Sequence, residues 1–270
     1  MEFEFSAPTG PKVYWQLPYE NWPTMFRYVI TQSTVTLFFV TIALIIVALV
    51  VNKNIKKRPG KFQVIVEKLV TMLYNLVEDT MGKHNMKFAP YIGTLFVSSF
   101  CCTIIGMTQV FRSATADVSV TAAWALVTTG MVWYNKIKNF GFKGWLKGFT
   151  EPFMLMTPMN IVSEVATPVS MAFRHFGNVA GGSVITSLIY TALATASSFL
   201  IRLVFGSVEF DIPFLQAGIP AAFSIYFDII SGLIQALVFS LLTMIYVSAA
   251  SPPPEEIPER PKKNKKQATN

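Results

Sequence analysis

A mostly apolar stretch runs from residue 160 to residue 205, with an arginine, Arg174, near its middle. At ~1.5 Å of rise per residue, a helix of that length reaches about 70 Å, roughly twice the hydrocarbon core of a bilayer. One upright helix is therefore excluded. The segment must tilt strongly, bend at Pro168, Gly177 or the Gly181 and Gly182 pair, or run partly along the membrane plane. A guanidinium stays charged at any relevant pH, and holding it at membrane depth costs ~2.5–3.5 kcal/mol on insertion scales. Such a residue reads as functional by default; the alternative is one half of a buried ion pair.

Composition points the same way. Of the 270 residues 52% are hydrophobic and 14% charged, well below the ~25% charged residues of soluble domains. A net charge of +7 would suit nucleic acid. Here, however, the lysines and arginines sit at the ends of apolar segments, where they act as topology signals, so no nucleic-acid partner is expected. The adjacent Cys101 and Cys102 point in different directions on a helix and read as packing residues. His84 has no second His or Cys at metal-ligand spacing and reads as a surface residue. No phosphate loop or nucleophilic triad is present.

Residues 1–24 hold Tyr14, Trp15, Trp22 and several prolines. They read as an external, interfacial segment, and the acidic start does not resemble a cleavable signal. Residues 25–250 read as a single transmembrane domain. Within it, five spans are expected at 28–51, 88–111, 120–134, 160–205 and 217–249. The third of these is short for a crossing. Residues 62–81 alternate Phe62, Val66, Leu69 and Leu73 with charged positions, the pattern of an amphipathic helix on the cytoplasmic face or on a partner helix. Lys53, Lys56, Lys57 and Arg58, then Lys136, Lys138, Lys143 and Lys147, mark the inside, as do the lysines of the tail 251–270, which reads as basic and disordered. The N-terminus is then outside and the C-terminus cytoplasmic.

Two polar stripes carry the chemistry. Asn160, Glu164, Thr167, Met171, Arg174, Asn178 and Gly181 follow steps of four and three, one face of an α-helix. Ser224, Asp228, Ser231 and Gln235 repeat the pattern on the last span. An intramembrane carboxylate such as Asp228 suggests an ion pathway, and the plainer alternative is a structural pair with Arg202. A fixed positive charge lowers the pKa of any carboxylate that moves past it, which would make a carrier release its proton at one place.

The run SMAFRHFGNVAGG at residues 170–182 resembles the signature of subunit a of F-type ATP synthases. Supporting similarity lies in PMNIVSE at 158–164, TADVSVT at 115–121 and QALVFSLLTMIY at 235–246, so the resemblance covers residues 30–250. It implies an all-α polytopic protein with about five transmembrane helices, the last two a long tilted hairpin. It also implies a non-catalytic stator beside a rotating ring of c subunits, held by b-type peripheral stalk subunits and membrane lipid, with no cofactor. Two offset half-channels would carry protons or sodium to and from the ring carboxylates, with Arg174 between them. By the same resemblance Asn178 and Gln235 would line the path or orient the arginine. The chain departs from the family pattern at Ser183, where many members hold an acid or histidine. The outer half-channel would then lean on Asp228, with Asp117 beside it. Glu164 would line the inner half-channel or pair with a basic residue. His175 replaces the usual leucine and reads as a neighbour facing away from the path. A bacterial plasma membrane is the expected location. Two other classes remain open on the residues alone: a secondary transporter that binds an anion at Arg174, and a non-conducting scaffold.

Overall fold

The structure is a computed structural model that describes residues 13–16, 28–107, 113–151, 153–205 and 226–253. The tail beyond Pro253, the acidic segment around Glu209 and Asp211, Ser224, and most of the N-terminal segment lie outside the described residues. A short ribbon, not foreseen from the sequence, pairs β1 (Val13–Gln16) antiparallel with β2 (Tyr28–Thr31). Nearly all the rest of the described chain is helical: the protein is an all-α polytopic membrane protein.

The first span, α1 (Gln32–Lys53), starts where the Thr31 hydroxyl accepts from the Thr34 amide at 3.4 Å, an ordinary threonine cap. It ends on Lys53, favourable against the helix dipole. The amphipathic segment forms α2 (Lys61–Met81), which stops at Gly82 with φ +76°, a conformation that favours glycine. Its end is buried at Val77 and Met81, while Phe62, Ile65, Leu69 and Met72 stay exposed. A helix with such an open apolar side suits the membrane interface.

Helix α3 (Ala89–Met107) follows a 3-10 turn at Lys83–Phe88. The crossing expected at 120–134 is longer than its apolar core. Helix α4 (Val118–Gly148) is continuous to Gly141, where φ +75° kinks it. Residues 118–140 reach roughly 35 Å, enough to cross. Apolarity alone understates this helix, because Thr121, Thr128 and Thr129 are buried and satisfied within the bundle. Among the described residues, four helical segments are long and apolar enough to span a membrane: Gln32–Lys53, Lys83–Gly106, Met154–Phe199 and Ile229–Ala250. Packed against two of them, α4 runs through the same layer.

Helix α5 (Thr157–Phe205) is unbroken across Pro168 and the glycines. Its length, about 74 Å, is thus accommodated by tilt or by lying partly along the membrane plane rather than by a break. The chain returns through a π turn at Tyr226–Ser231 and then α6 (Gly232–Ala250).

Among the described residues, three small cores stack along the bundle. Val77, Ile92, Val132 and Met244 close one end, Leu95, Ala125, Met171 and Phe239 the middle, and Val40, Cys102 and Ala114 the other end. Buried Cys102 is a packing residue, as its position suggested. The turn Lys83–Phe88, Asn139 of α4 and the end of α6 meet at the first of these ends. There Asn139 donates to the Ala250 carbonyl at 3.0 Å, Asn85 donates to the Ser251 carbonyl at 3.0 Å, and a His84 ring nitrogen lies 2.9 Å from that same oxygen. His84 is exposed, as expected of a surface residue, and it also helps hold the end of α6.

Candidate functional site

The polar stripe expected along α5 divides in two. Asn160 donates to the carbonyls of Phe149 and Glu151 at 2.9 and 3.0 Å. Met171 is buried, and Asn178 bonds across to the final helix. Arg174 does not join them. It is exposed, and among the described residues it has no hydrogen bond or ion pair. Ser170 and Gly177, one turn to either side, are exposed too, and a Cβ placed on Gly177 or Gly181 would meet nothing within 4 Å. The arginine thus stands on a side of α5 that the other described residues leave open, flanked by small residues.

The next residue, His175, is fully buried. One helical step rotates a side chain by about 100°, which turns it from the open side into the bundle. A ring nitrogen lies 3.2 Å from the Ser99 hydroxyl, and the ring packs edge-on against Trp124 and Phe239, with centroids 6.0 and 5.4 Å apart. The expectation that His175 faces away from Arg174 agrees with this geometry.

Asn178 and the end of the π turn are tied in both directions. The Ser231 hydroxyl donates to Asn178 Oδ1 at 2.9 Å, and Asn178 Nδ2 donates to the Ser231 carbonyl at 3.2 Å. One turn later Gln235 is buried against the same helices, its Nε2 without a partner among the described residues. Asp228 lies within the π turn. That turn spends one residue more than an α turn, so the α-helical register that aligned Asp228 with Ser231 and Gln235 does not run through it. Across the turn the face shifts by one residue, about 100°. Sequence periodicity had no signal for this.

Two predicted residues make only local bonds. Ser183 is exposed and donates to the Ala180 carbonyl of its own helix at 2.7 Å. Asp117 caps α4 by accepting from the Ser119 amide at 3.0 Å. Neither is bonded to the group around Asn178 and Gln235.

Glu164 has a partner that the sequence left open. Both of its carboxylate oxygens accept from Lys136 Nζ at 2.9 Å, and Oε1 also accepts from Trp133 Nε1 at 2.7 Å. The same glutamate lines a cavity of about 690 Å³ with Asn160, Ser163 and Lys147. A second cavity, of about 100 Å³, shares Lys136 and Glu164 and reaches Thr167 and Met171. The smaller cavity thus reaches Met171, three residues from Arg174. Glu164→Lys is expected to destabilise the protein by about 1 kcal/mol, since it sets two ammonium groups together at a partly exposed site. Adding Lys136→Glu should restore the melting temperature of the detergent-purified protein. Equal melting temperatures for all three proteins would show that the pair carries no stability.

Comparison with known proteins identifies the family. Residues 34–248 match the family described as ATP synthase A chain. The sodium ion specific ATP synthase subunit a of Propionigenium modestum is 30% identical over 241 residues, covering 84% of this chain and 76% of that one. ATP synthase subunit a of Legionella pneumophila subsp. pneumophila is 30% identical over 220 residues, covering 81% and 86%. That of Desulforamulus reducens is 28% identical over 243 residues, covering 87% of each. With the spans, the open arginine and the paired final helices, this match over most of the chain makes it a member of the ATP synthase A chain family, the membrane-embedded, ion-conducting component of the F-type ATP synthase.

Proposed function

We propose that this chain is a non-catalytic stator channel, carrying protons or sodium ions through two half-channels to and from the carboxylates of a rotating c-ring. Ion flow is thereby coupled to ATP synthesis or hydrolysis. The observation that carries the reading is Arg174, an exposed charge without a partner among the described residues, on the open, small-residue side of a long membrane helix. Small residues admit a second helix at close range, and a ring helix bearing a carboxylate would meet the guanidinium there. The charge favours the ionised carboxylate, so the carboxylate gives up its ion on arrival and rebinds one only after moving on.

The cavities beside Glu164 and Asn160 support an inner half-channel that ends near Arg174. Asn178, Gln235 and Asp228, with Ser183 and Asp117 nearer the other end, are the candidate outer path. The name of the Propionigenium modestum relative keeps sodium beside the proton as the coupling ion. In this reading residues 25–250 form the transmembrane domain and b-type stalk subunits hold it against rotation. The chain sits in a bacterial plasma membrane with the N-terminus outside and the C-terminus cytoplasmic. The lysines at one set of ends of the apolar segments support that orientation.

The test is purification in mild detergent followed by ATP-driven ion uptake into inverted vesicles. A ring-and-stalk complex that takes up protons or sodium is expected. A lone monomer or dimer that accumulates an anion would overturn the proposal in favour of a self-contained transporter.

A further inference from the structure

Two buried polar atoms in the middle of the bundle have no partner among the described residues: His175 Nδ1 and Gln235 Nε2. Both side chains are more than nine-tenths buried, where polar groups are normally paired. Helix packing brings the two residues to one place. Along α3 and α6, Asn85 bonds to Ser251 and Thr103 lies against Gly232. That antiparallel register sets Ser99 level with Ala236, the residue after Gln235. Along α5 and α6, Asn178 bonds to Ser231, and Met171 shares a core with Phe239. This register sets His175 level with Gln235. Direction agrees with level. Around α6, Ser231 turns to α5 and Gly232 to α3, about 100° apart, and Gln235 lies about 40° from Ser231 on the way to Gly232. Gln235 therefore points into the corner between α3 and α5. His175 occupies that corner, with a ring nitrogen 3.2 Å from the Ser99 hydroxyl and the ring edge-on to Phe239.

We propose that His175 is a positioning residue for Gln235: its Nδ1 accepts from the Gln235 side-chain amide and so fixes which end of that amide faces the ion path. The two atoms are complementary. Gln235 Nε2 is always a donor, and a neutral imidazole has one donor and one acceptor nitrogen. With Nε2–H donating to Ser99 Oγ, Nδ1 holds the lone pair. Ser99, Trp124 and Phe239, on three other helices, hold the ring, so that lone pair has a fixed direction. A small turn of the amide or one bridging water completes the link. With its nitrogen held, the planar amide presents Oε1 as its free acceptor. The inference rests on the half-channel reading above, which puts Gln235 on the path, and adds to it a residue that lies off the path.

The experiment uses the whole complex in inverted vesicles, comparing ATP-driven uptake in wild type, His175→Leu, His175→Asn and Arg174→Ala, with assembly checked by pull-down. His175→Leu removes the acceptor, and the uptake rate should fall about tenfold, the scale of one lost hydrogen bond. His175→Asn keeps an acceptor oxygen near the place of Nδ1 and should recover most of that loss. A second readout is the nitrogen-15 signal of the imidazoles in histidine-labelled chain. The chain has two histidines, and His84→Asn tells their signals apart. Nδ1 of His175 should resonate as a hydrogen-bonded acceptor and shift in Gln235→Met, which keeps the volume and removes the donor. Wild-type uptake in an assembled His175→Leu complex, equal losses in the leucine and asparagine variants, or an Nδ1 signal unmoved by Gln235→Met overturns the proposal. If His175→Leu does not assemble, the nitrogen signal alone decides. If Arg174→Ala still pumps while the Nδ1 signal shifts in Gln235→Met, the half-channel reading fails and the link between His175 and Gln235 stands.

Discussion

Arg174→Ala is expected to abolish ATP-driven ion uptake into inverted vesicles while the complex still assembles. The second half of that expectation comes from the fold. Large losses of stability come from cavities, orphaned buried polar groups or broken networks. Arg174 is exposed, and removing it orphans no group among the described residues. The first half comes from electrostatics. An opposite charge within ~4–6 Å shifts a carboxylate by ~1–3 pKa units. In the proposed half-channel reading, a ring carboxylate without it has no reason to give up its ion between the two half-channels, and loss of uptake should be complete rather than partial. Arg174→Lys should also be severely impaired, because a flexible ammonium does not reproduce a planar, permanently charged fork. Assembly is checked by pull-down, and proton and sodium uptake are measured in parallel. An assembled Arg174→Ala complex that pumps like wild type would remove the basis of the mechanism.

Gly232→Ala is expected to give the largest structural effect of a small substitution. Its Cβ would lie 2.6 Å from Thr103 Cγ2 and 3.3 Å from Thr103 Cβ. Threonine is stiff at χ1 within a helix. Thr103 is further held by its hydroxyl, which donates to the Ser99 carbonyl at 3.0 Å and lies 3.3 Å from the Thr115 hydroxyl. Neither side can yield cheaply, so α3 and α6 must separate, at about 1–3 kcal/mol for overpacking. Thr103→Ser keeps the hydroxyl and removes the clashing methyl. The double variant Thr103→Ser with Gly232→Ala should therefore recover most of the melting temperature lost in Gly232→Ala alone. A Gly232→Ala protein with the wild-type melting temperature would show that the two helices are free to adjust.

Much of the architecture is legible in residue order because membrane helices answer to local rules. Apolar length sets the spans, lysines mark one end, and Gly82 and Thr31 terminate or start helices through their own backbone and side-chain chemistry. The family was legible for the same reason: the run around Arg174 and the segment from Gln235 are contiguous stretches. Helix α4 was harder. Its threonines lower its apolarity, yet they are bonded inside the bundle, so only packing reveals that it continues to Gly141.

The candidate site was legible as a set of residues, less so as an arrangement. Periodicity placed Asn160, Glu164, Arg174 and Asn178 on one face. A helix face, though, is about 100° wide or more, and which of its edges meets a neighbour is settled by the neighbour. Lys136 and Trp133 take Glu164, Ser231 takes Asn178, and nothing among the described residues takes Arg174. Periodicity also assumes 3.6 residues per turn throughout, which fails at the π turn Tyr226–Ser231. The sequence by itself determined that this chain crosses a membrane several times and carries a charged residue too costly to be there by default. The tertiary structure alone decided which polar groups are satisfied within the chain and which one is left facing outward, because that depends on inter-helix distances of a few ångströms that residue spacing does not encode.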